Sequence, residues 1–107
     1  MDDEVLARAE QVIVAFREKG WTLATAESCT GGLVSGALTA IAGSSSVLDC
    51  GFVTYSNTAK MKMLGVPEAI LAAHGAVSEE TARAMASGAL ERAGVHMAVS
   101  ITGIAGP

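Results

Sequence analysis

The alternation of short strand-like segments with longer helix-like ones constrains the fold of this 107-residue chain more than any other feature. Three segments have the length and side chains of β-strands, and helical periodicity fills the residues between them. These strand candidates are residues 21–27 (WTLATAE), 47–55 (VLDCGFVTY) and 95–102 (VHMAVSIT). Because strands separated by helices need crossover connections, we predict an α/β fold, a three-layer α/β/α sandwich with helices on both faces of a mainly parallel sheet.

The predicted helices are bounded by residues that favour helix ends. Residues 2–19 begin with two aspartates, carry apolar side chains on one face and stop before Gly20. Asn57 is the predicted N-cap of a short helix that ends at Leu64, and Ser78 begins the last helix. The other helical segments are 31–42 and 67–74, and the predicted order of elements is α-β-α-β-α-α-α-β.

Composition restricts the class of protein further. Half of the residues are apolar, so residues 1–107 can form one domain with its own core. The net charge of −4, without clustered Lys or Arg, argues against nucleic-acid binding. No apolar run approaches the roughly 20 residues that span a bilayer, and the acidic start is unlike a signal peptide. Two cysteines are too few for a disulfide scaffold, and we predict a cytoplasmic protein with reduced thiols.

The C-terminal residues carry a separate expectation. The last strand candidate runs directly into a glycine-rich loop, where the sequence ends. A sheet of three strands would also leave an open edge, which natural proteins usually cover. We therefore expect the domain to be truncated at its C-terminus, or to borrow its missing part from a partner.

Polar loops that contain glycine or lysine follow all three predicted strands. Their sequences are ESCTGG (27–32), TYSNTAK (54–60) and TGIAGP (102–107). In a parallel sheet the carboxyl ends of the strands meet at one edge, and ligands of α/β proteins bind there. The three loops therefore predict a site at that edge.

The first loop offers three candidate nucleophiles, Ser28, Cys29 and Thr30. Near the start of a helix, unpaired N–H groups can hold an oxyanion or a phosphate, and glycines let a ligand approach the backbone. Ser28 or Thr30 could instead be only a helix cap, and Cys29 only a small packed side chain. Glu27 could orient a neighbouring residue or lie at a subunit contact, and the sequence does not choose between these roles.

The second loop offers a base. An amine that works near neutral pH needs its pKa lowered from about 10.4, and a helix N-terminus contributes only about 0.3–1 kcal/mol of that. If Lys60 is a base, burial must therefore supply most of the shift. The alternative is a solvated lysine. Tyr55 could orient the amine or a substrate, or simply be an aromatic residue at a strand end.

Together these segments resemble the CinA C-terminal domain family, the nicotinamide mononucleotide deamidases of the PncC type. The resemblance rests on ESCTGG, YSN-x-x-K and TGIAGP in this order, and it extends over about residues 5–107. It implies cleavage of the nicotinamide amide to give nicotinic acid mononucleotide and ammonia. It also implies no metal or cofactor, a small-molecule nucleotide as substrate and a homodimer. The alternative is a non-catalytic, nucleotide-binding or regulatory member of the family.

The resemblance also assigns roles to residues. It implies Ser28 as the catalytic serine, Lys60 as the residue that takes and returns its proton, and Tyr55 as the catalytic tyrosine. N–H groups from Thr30 to Gly32 would hold the oxyanion. The residues implied in substrate binding lie in all three loops: Thr30, Gly31, Gly32, Asn57, Thr102, Gly103 and Gly106.

Overall fold

The computed structural model describes residues 1–104 of the chain, and the predicted site residue Gly106 lies outside them. Five α-helices, one 3₁₀ turn and three strands follow one another in the predicted order. The helices are α1 (Asp3–Lys19), α2 (Leu33–Thr39), α3 (Asn57–Leu64), α4 (Glu68–His74) and α5 (Glu79–Ala93), with the 3₁₀ turn at Ser44–Ser46. The strands are β1 (Leu23–Glu27), β2 (Leu48–Val53) and β3 (Met97–Ile101).

The strands form a parallel sheet in the order β2-β1-β3. The central strand β1 is buried along its whole length. At its carboxyl end Glu27 pairs with Val53 on one side and Ile101 on the other, so all three strands end at the same level. The prediction of an α/β fold with a parallel sheet is therefore confirmed.

Two hydrophobic clusters join the helices to the sheet. The first joins α1 and α2 to the amino-terminal end of β1 through side chains such as Ile13, Leu38 and Leu23. The second joins α3, α4 and α5 to the sheet around Ala26. In residues 1–104 no helix is both long enough and apolar enough to cross a membrane.

One predicted helix cap needs correction. The N-cap of α3 is Ser56, whose hydroxyl accepts a hydrogen bond from the Ala59 N–H at 3.0 Å. Asn57 is the first helical residue instead, and its side chain is exposed. Serine and asparagine are both favoured N-caps, so the sequence could not distinguish two adjacent candidates. The shift makes Lys60 the fourth residue of the helix.

Two glycines allow close approaches that hold the layers together. A Cβ on Gly51, in the middle of β2, would lie 2.7 Å from Thr25 Oγ1 and would also collide with Ser35 of α2. The close packing of α2 on β2 therefore requires a glycine at position 51. A Cβ on Gly88 would collide with the Leu64 carbonyl, so this glycine lets α5 pack against the end of α3.

Candidate active site

Ser28 is held at the edge of the sheet by the backbone of its own strand. Its N–H donates to the Ile101 carbonyl at 2.9 Å and extends the pairing of β1 with β3 by one residue. On the other side of β1, the Thr54 N–H donates to the Glu27 carbonyl at 2.8 Å. The side chain of Ser28 is buried, with 6% of the residue exposed. Ser28 is therefore a buried residue at the point where the three strands end, with its backbone hydrogen-bonded to β3.

Lys60 reaches this serine from α3. Its Nζ lies 3.1 Å from Ser28 Oγ, and only 1% of the residue is exposed. The same nitrogen donates to the carbonyls of Thr54 at 2.9 Å and Tyr55 at 3.0 Å. The structure thus brings together a serine and a lysine that lie in different loops, 32 positions apart in the chain.

The partners of Lys60 define how its amine can act. A neutral amine has two N–H bonds and one lone pair, whereas a carbonyl oxygen can only accept. When Lys60 is neutral, its two hydrogens satisfy the Thr54 and Tyr55 carbonyls, and the lone pair is left to accept the Ser28 hydroxyl proton. The arrangement is that of a nucleophile paired with an oriented base.

The electrostatic surroundings favour this neutral form. Burial lowers the pKa of Lys60 below its ordinary value of 10.5, and the neighbouring Cys29 thiol, when ionised, opposes this shift in part. No carboxylate of residues 1–104 forms an ion pair with the amine. The desolvation that the sequence argument required of a lysine base is present.

Glu27 has a role that the sequence left open. It is fully buried, and its carboxylate lies over the start of α2. Oε1 accepts the Thr30 hydroxyl at 2.6 Å and two N–H groups near 3 Å, while Oε2 accepts the Ser35 N–H at 2.9 Å. The two further N–H groups belong to Gly32 and Val34. The carboxylate therefore caps α2 from the preceding strand, in place of an N-cap side chain.

These contacts also keep Glu27 charged. Burial by itself raises its pKa, but the hydrogen bonds from the Thr30 hydroxyl and from the Ser35 and Val34 N–H groups outweigh burial and lower the pKa. A negative charge at a helix N-terminus is also favoured by the helix dipole. Glu27 is thus a stable buried anion next to the candidate nucleophile.

The predicted oxyanion site changes as a result. The Gly32 N–H donates to Glu27, and the Gly31 N–H donates to the Ser28 carbonyl at 3.1 Å, so neither amide is available for an oxyanion. Both glycines have positive φ, 61° at Gly31 and 108° at Gly32, and their conformational role is to form the turn. Within residues 1–104, the amides of Cys29 and Thr30 have no acceptor. These two amides are therefore the donors of the turn that remain available for an oxyanion.

Apart from Lys60, the side chains of the second loop make fewer contacts at the site than the sequence predicts. The Tyr55 side chain is 75% exposed, and the group that contacts Lys60 is the Tyr55 backbone carbonyl. Asn57 is exposed at the start of α3 and has no hydrogen bond that ties it to Ser28 or Lys60. Their predicted roles toward a substrate remain predictions.

The third loop reaches the first, as predicted from a parallel sheet. A Cβ on Gly103 would lie 3.4 Å from Cys29 Sγ, which places the loop directly over the turn after Ser28. The Thr102 hydroxyl donates to the Ala76 carbonyl at 2.8 Å and fixes the loop to the segment before α5. Gly103 therefore lies beside the turn that contains Ser28, and Thr102 holds the third loop in that position.

The fold and the site define an α/β domain with a buried serine–lysine pair at the carboxyl edge of a parallel sheet. Comparison with known proteins gives the family. The model of the CinA C-terminal domain matches residues 6–107. The chain belongs to the CinA C-terminal domain family, which confirms the resemblance stated from the sequence.

Individual relatives are similar over nearly the whole chain. Nicotinamide-nucleotide amidohydrolase PncC of Escherichia coli is 56% identical over 106 residues, which are 99% of this chain and 64% of that protein. A CinA-like protein of Chloroherpeton thalassium is 59% identical over 98 residues, 92% of this chain and 23% of its own length. The chain thus spans less than two thirds of either relative.

Solved structures agree with this assignment. The competence/damage inducible protein CihA of Agrobacterium tumefaciens superposes with a TM-score of 0.94 at 52% identity, and the match covers all of this chain and 65% of CihA. A CinA superfamily protein of Escherichia coli gives a TM-score of 0.95 at 38% identity, covering all of this chain and 63% of that one. The fold is therefore that of the solved CinA proteins over the shared length.

Proposed function

We propose that this protein is a nicotinamide-nucleotide amidase in which Ser28 attacks the amide and Lys60 carries the proton. The observation that supports this most directly is the buried contact of 3.1 Å between Lys60 Nζ and Ser28 Oγ. The similarity to PncC, whose name is that of a nicotinamide-nucleotide amidohydrolase, supports the choice of substrate.

The first half of the proposed reaction forms an ester on the enzyme. Ser28 Oγ bonds to the amide carbon while its proton passes to the lone pair of Lys60. The negative charge that develops on the amide oxygen is stabilised by the N–H groups of Cys29 and Thr30. As the C–N bond breaks, Lys60 returns the proton to the leaving nitrogen, which departs as ammonia.

The second half releases the acid. Water bonds to the ester carbon and gives a proton to Lys60, which passes it to Ser28 Oγ as the ester bond breaks. The products are nicotinic acid mononucleotide and the regenerated serine. The Thr54 and Tyr55 carbonyls keep the amine oriented in both halves, because they continue to accept its other two hydrogens.

The other predicted residues fit around this centre. Tyr55 and Asn57 are exposed in the second loop, and Gly103 of the third loop lies next to Cys29. In the proposal these three residues contact the substrate. In the proposal Thr30 supplies its amide to the reaction and its hydroxyl to Glu27. Thr102 acts by holding the third loop.

Replacing Ser28 by alanine tests the proposal. We expect the full chain to release ammonia from nicotinamide mononucleotide, and Ser28→Ala to lose at least about 10³-fold in kcat while it keeps its fold. Ser87→Ala, a matched substitution on α5, serves as control. Full activity of Ser28→Ala would refute the mechanism. Binding of the nucleotide without ammonia release by the wild type would support the non-catalytic alternative.

A further inference from the structure

Glu27 is the buried charged group of the site that the proposed reaction does not use. It is adjacent to Ser28 in sequence, yet within residues 1–104 its carboxylate forms no hydrogen bond or ion pair with Lys60. It binds the start of α2, where four donors converge on it. Removing such an anion from water is costly unless hydrogen bonds replace its hydration. The structure supplies those bonds, and through them the carboxylate holds residues 30–35.

The carboxylate connects the central strand to the turn and helix that follow it. Its own backbone is part of the central strand, paired with Val53 and Ile101 on both sides. Its side chain binds residues 30–35, which include two consecutive residues with positive φ. Ser28 and Cys29 lie between the backbone of Glu27 and the residues that its carboxylate binds, an arrangement that we call the Glu27 clamp. The position of the turn relative to the sheet therefore depends on Glu27.

The clamp also selects which amides are free. By accepting from Gly32, Val34 and Ser35, the carboxylate occupies the donors that would otherwise make the start of α2 an anion site. The Cys29 and Thr30 amides do not bind it, and they belong to the two residues that directly follow Ser28 in the chain. A carboxylate in this place both shapes the oxyanion site and limits it to two donors.

We propose that Glu27 is a positioning residue, whose carboxylate fixes the turn of residues 28–32 so that Ser28 faces Lys60 and the Cys29 and Thr30 amides face the substrate. This inference rests on the proposed function, because it assigns the turn to the chemistry of Ser28. Glu27 touches neither the substrate nor the transferred proton. Its effect is on the rate of the chemical step rather than on substrate affinity.

Two substitutions test the proposal, one of Glu27 itself and one of a residue that donates to its carboxylate. Glu27→Gln keeps the shape of the side chain but places its NH₂ group, a donor, against the Ser35 N–H, which needs an acceptor. Thr30→Val keeps the shape and removes the 2.6 Å bond to Oε1, and Thr30→Ser restores a hydroxyl at the same position. Glu4→Gln, an exposed carboxylate in the first turn of α1, is the matched control.

Two readouts apply to each variant of the full chain. One is the rate at which a fluorophosphonate probe labels Ser28, and the other is kcat and KM for nicotinamide mononucleotide. We expect Glu27→Gln and Thr30→Val to lower the labelling rate and kcat by roughly 10- to 100-fold, because a misplacement of about 1 Å costs that much. KM should stay within about twofold, and Thr30→Ser should recover most of the loss relative to Thr30→Val.

The outcomes separate the two proposals. If wild-type Ser28 is labelled but Glu27→Gln and Thr30→Val are labelled equally fast, the positioning role is overturned and the proposed function stands. A rise in KM at unchanged kcat also overturns it, since that result describes substrate binding. Wild-type Ser28 that resists labelling refutes the proposed function, and the inference with it. If Glu27→Gln does not fold, the comparison of Thr30→Val with Thr30→Ser decides.

Discussion

Lys60→Met is the substitution that tests the candidate site most directly. Methionine has nearly the volume of the lysine stem, so it fills the same buried space. It cannot accept the Ser28 proton, and it cannot donate to the Thr54 and Tyr55 carbonyls. The substitution therefore removes the base and leaves the surrounding packing in place.

The two expected effects differ greatly in size. Loss of a general base lowers the rate about 10²- to 10⁴-fold, which corresponds to roughly 3–5 kcal/mol in the activation free energy. For stability, two carbonyls each lose a hydrogen bond worth about 1 kcal/mol. The variant no longer has to bury an amine, and this offsets part of that loss. We expect the free energy of unfolding to change by less than about 2 kcal/mol.

The pH profile supplies a second and independent check. Only the neutral amine can accept the proton, so kcat/KM should rise tenfold per pH unit below the pKa of Lys60 and level off above it. Because burial lowers that pKa, the plateau should begin below 10.5. The rising limb should be absent from the residual activity of Lys60→Met.

Ammonia release from nicotinamide mononucleotide measures the rates, and urea denaturation measures stability. Lys62→Met is the control, because Lys62 lies on the same helix with an exposed side chain and should keep wild-type activity. Activity of Lys60→Met within tenfold of wild type would refute the assignment of the base. So would a wild-type profile that keeps rising up to the ordinary pKa of lysine.

Three further predictions concern stability. Gly88→Ala should destabilise by about 1–3 kcal/mol, because the new methyl group meets the Leu64 carbonyl. Gly36→Ala, in a helix with open space at that point, should stabilise by about 0.5–1 kcal/mol. Thermal melting compares the two, and equal shifts would contradict the packing argument. The stability that ionised Glu27 adds over Glu27→Gln should be complete above pH 4.5, because its folded-state pKa is lowered below that value. It should shrink as the pH falls through the folded-state pKa, and a pH-independent difference in urea titrations would refute the buried charge.

The sequence by itself determined the order of elements, the parallel sheet and the edge at which the loops meet. Each of these follows from local signals. Period-2 and period-3.6 patterns identify strands and helices, glycines and prolines bound them, and crossover connections imply parallel strands. The physical requirement that Lys60 be buried to act as a base also came from the sequence, and the structure buries it.

The tertiary structure decided which groups of those loops meet. The contact of Lys60 with Ser28 joins two segments 32 positions apart, and no periodicity encodes it. The structure also shows that Tyr55 contacts Lys60 through its carbonyl. It shows that Glu27 accepts hydrogen bonds from the Val34 and Ser35 amides in the first turn of α2. Capping predictions look for a serine or threonine next to the helix, whereas this helix is capped by a carboxylate from the preceding strand. Such a contact depends on how the strand and the helix are placed relative to each other, so only the tertiary structure could assign Glu27 its capping role.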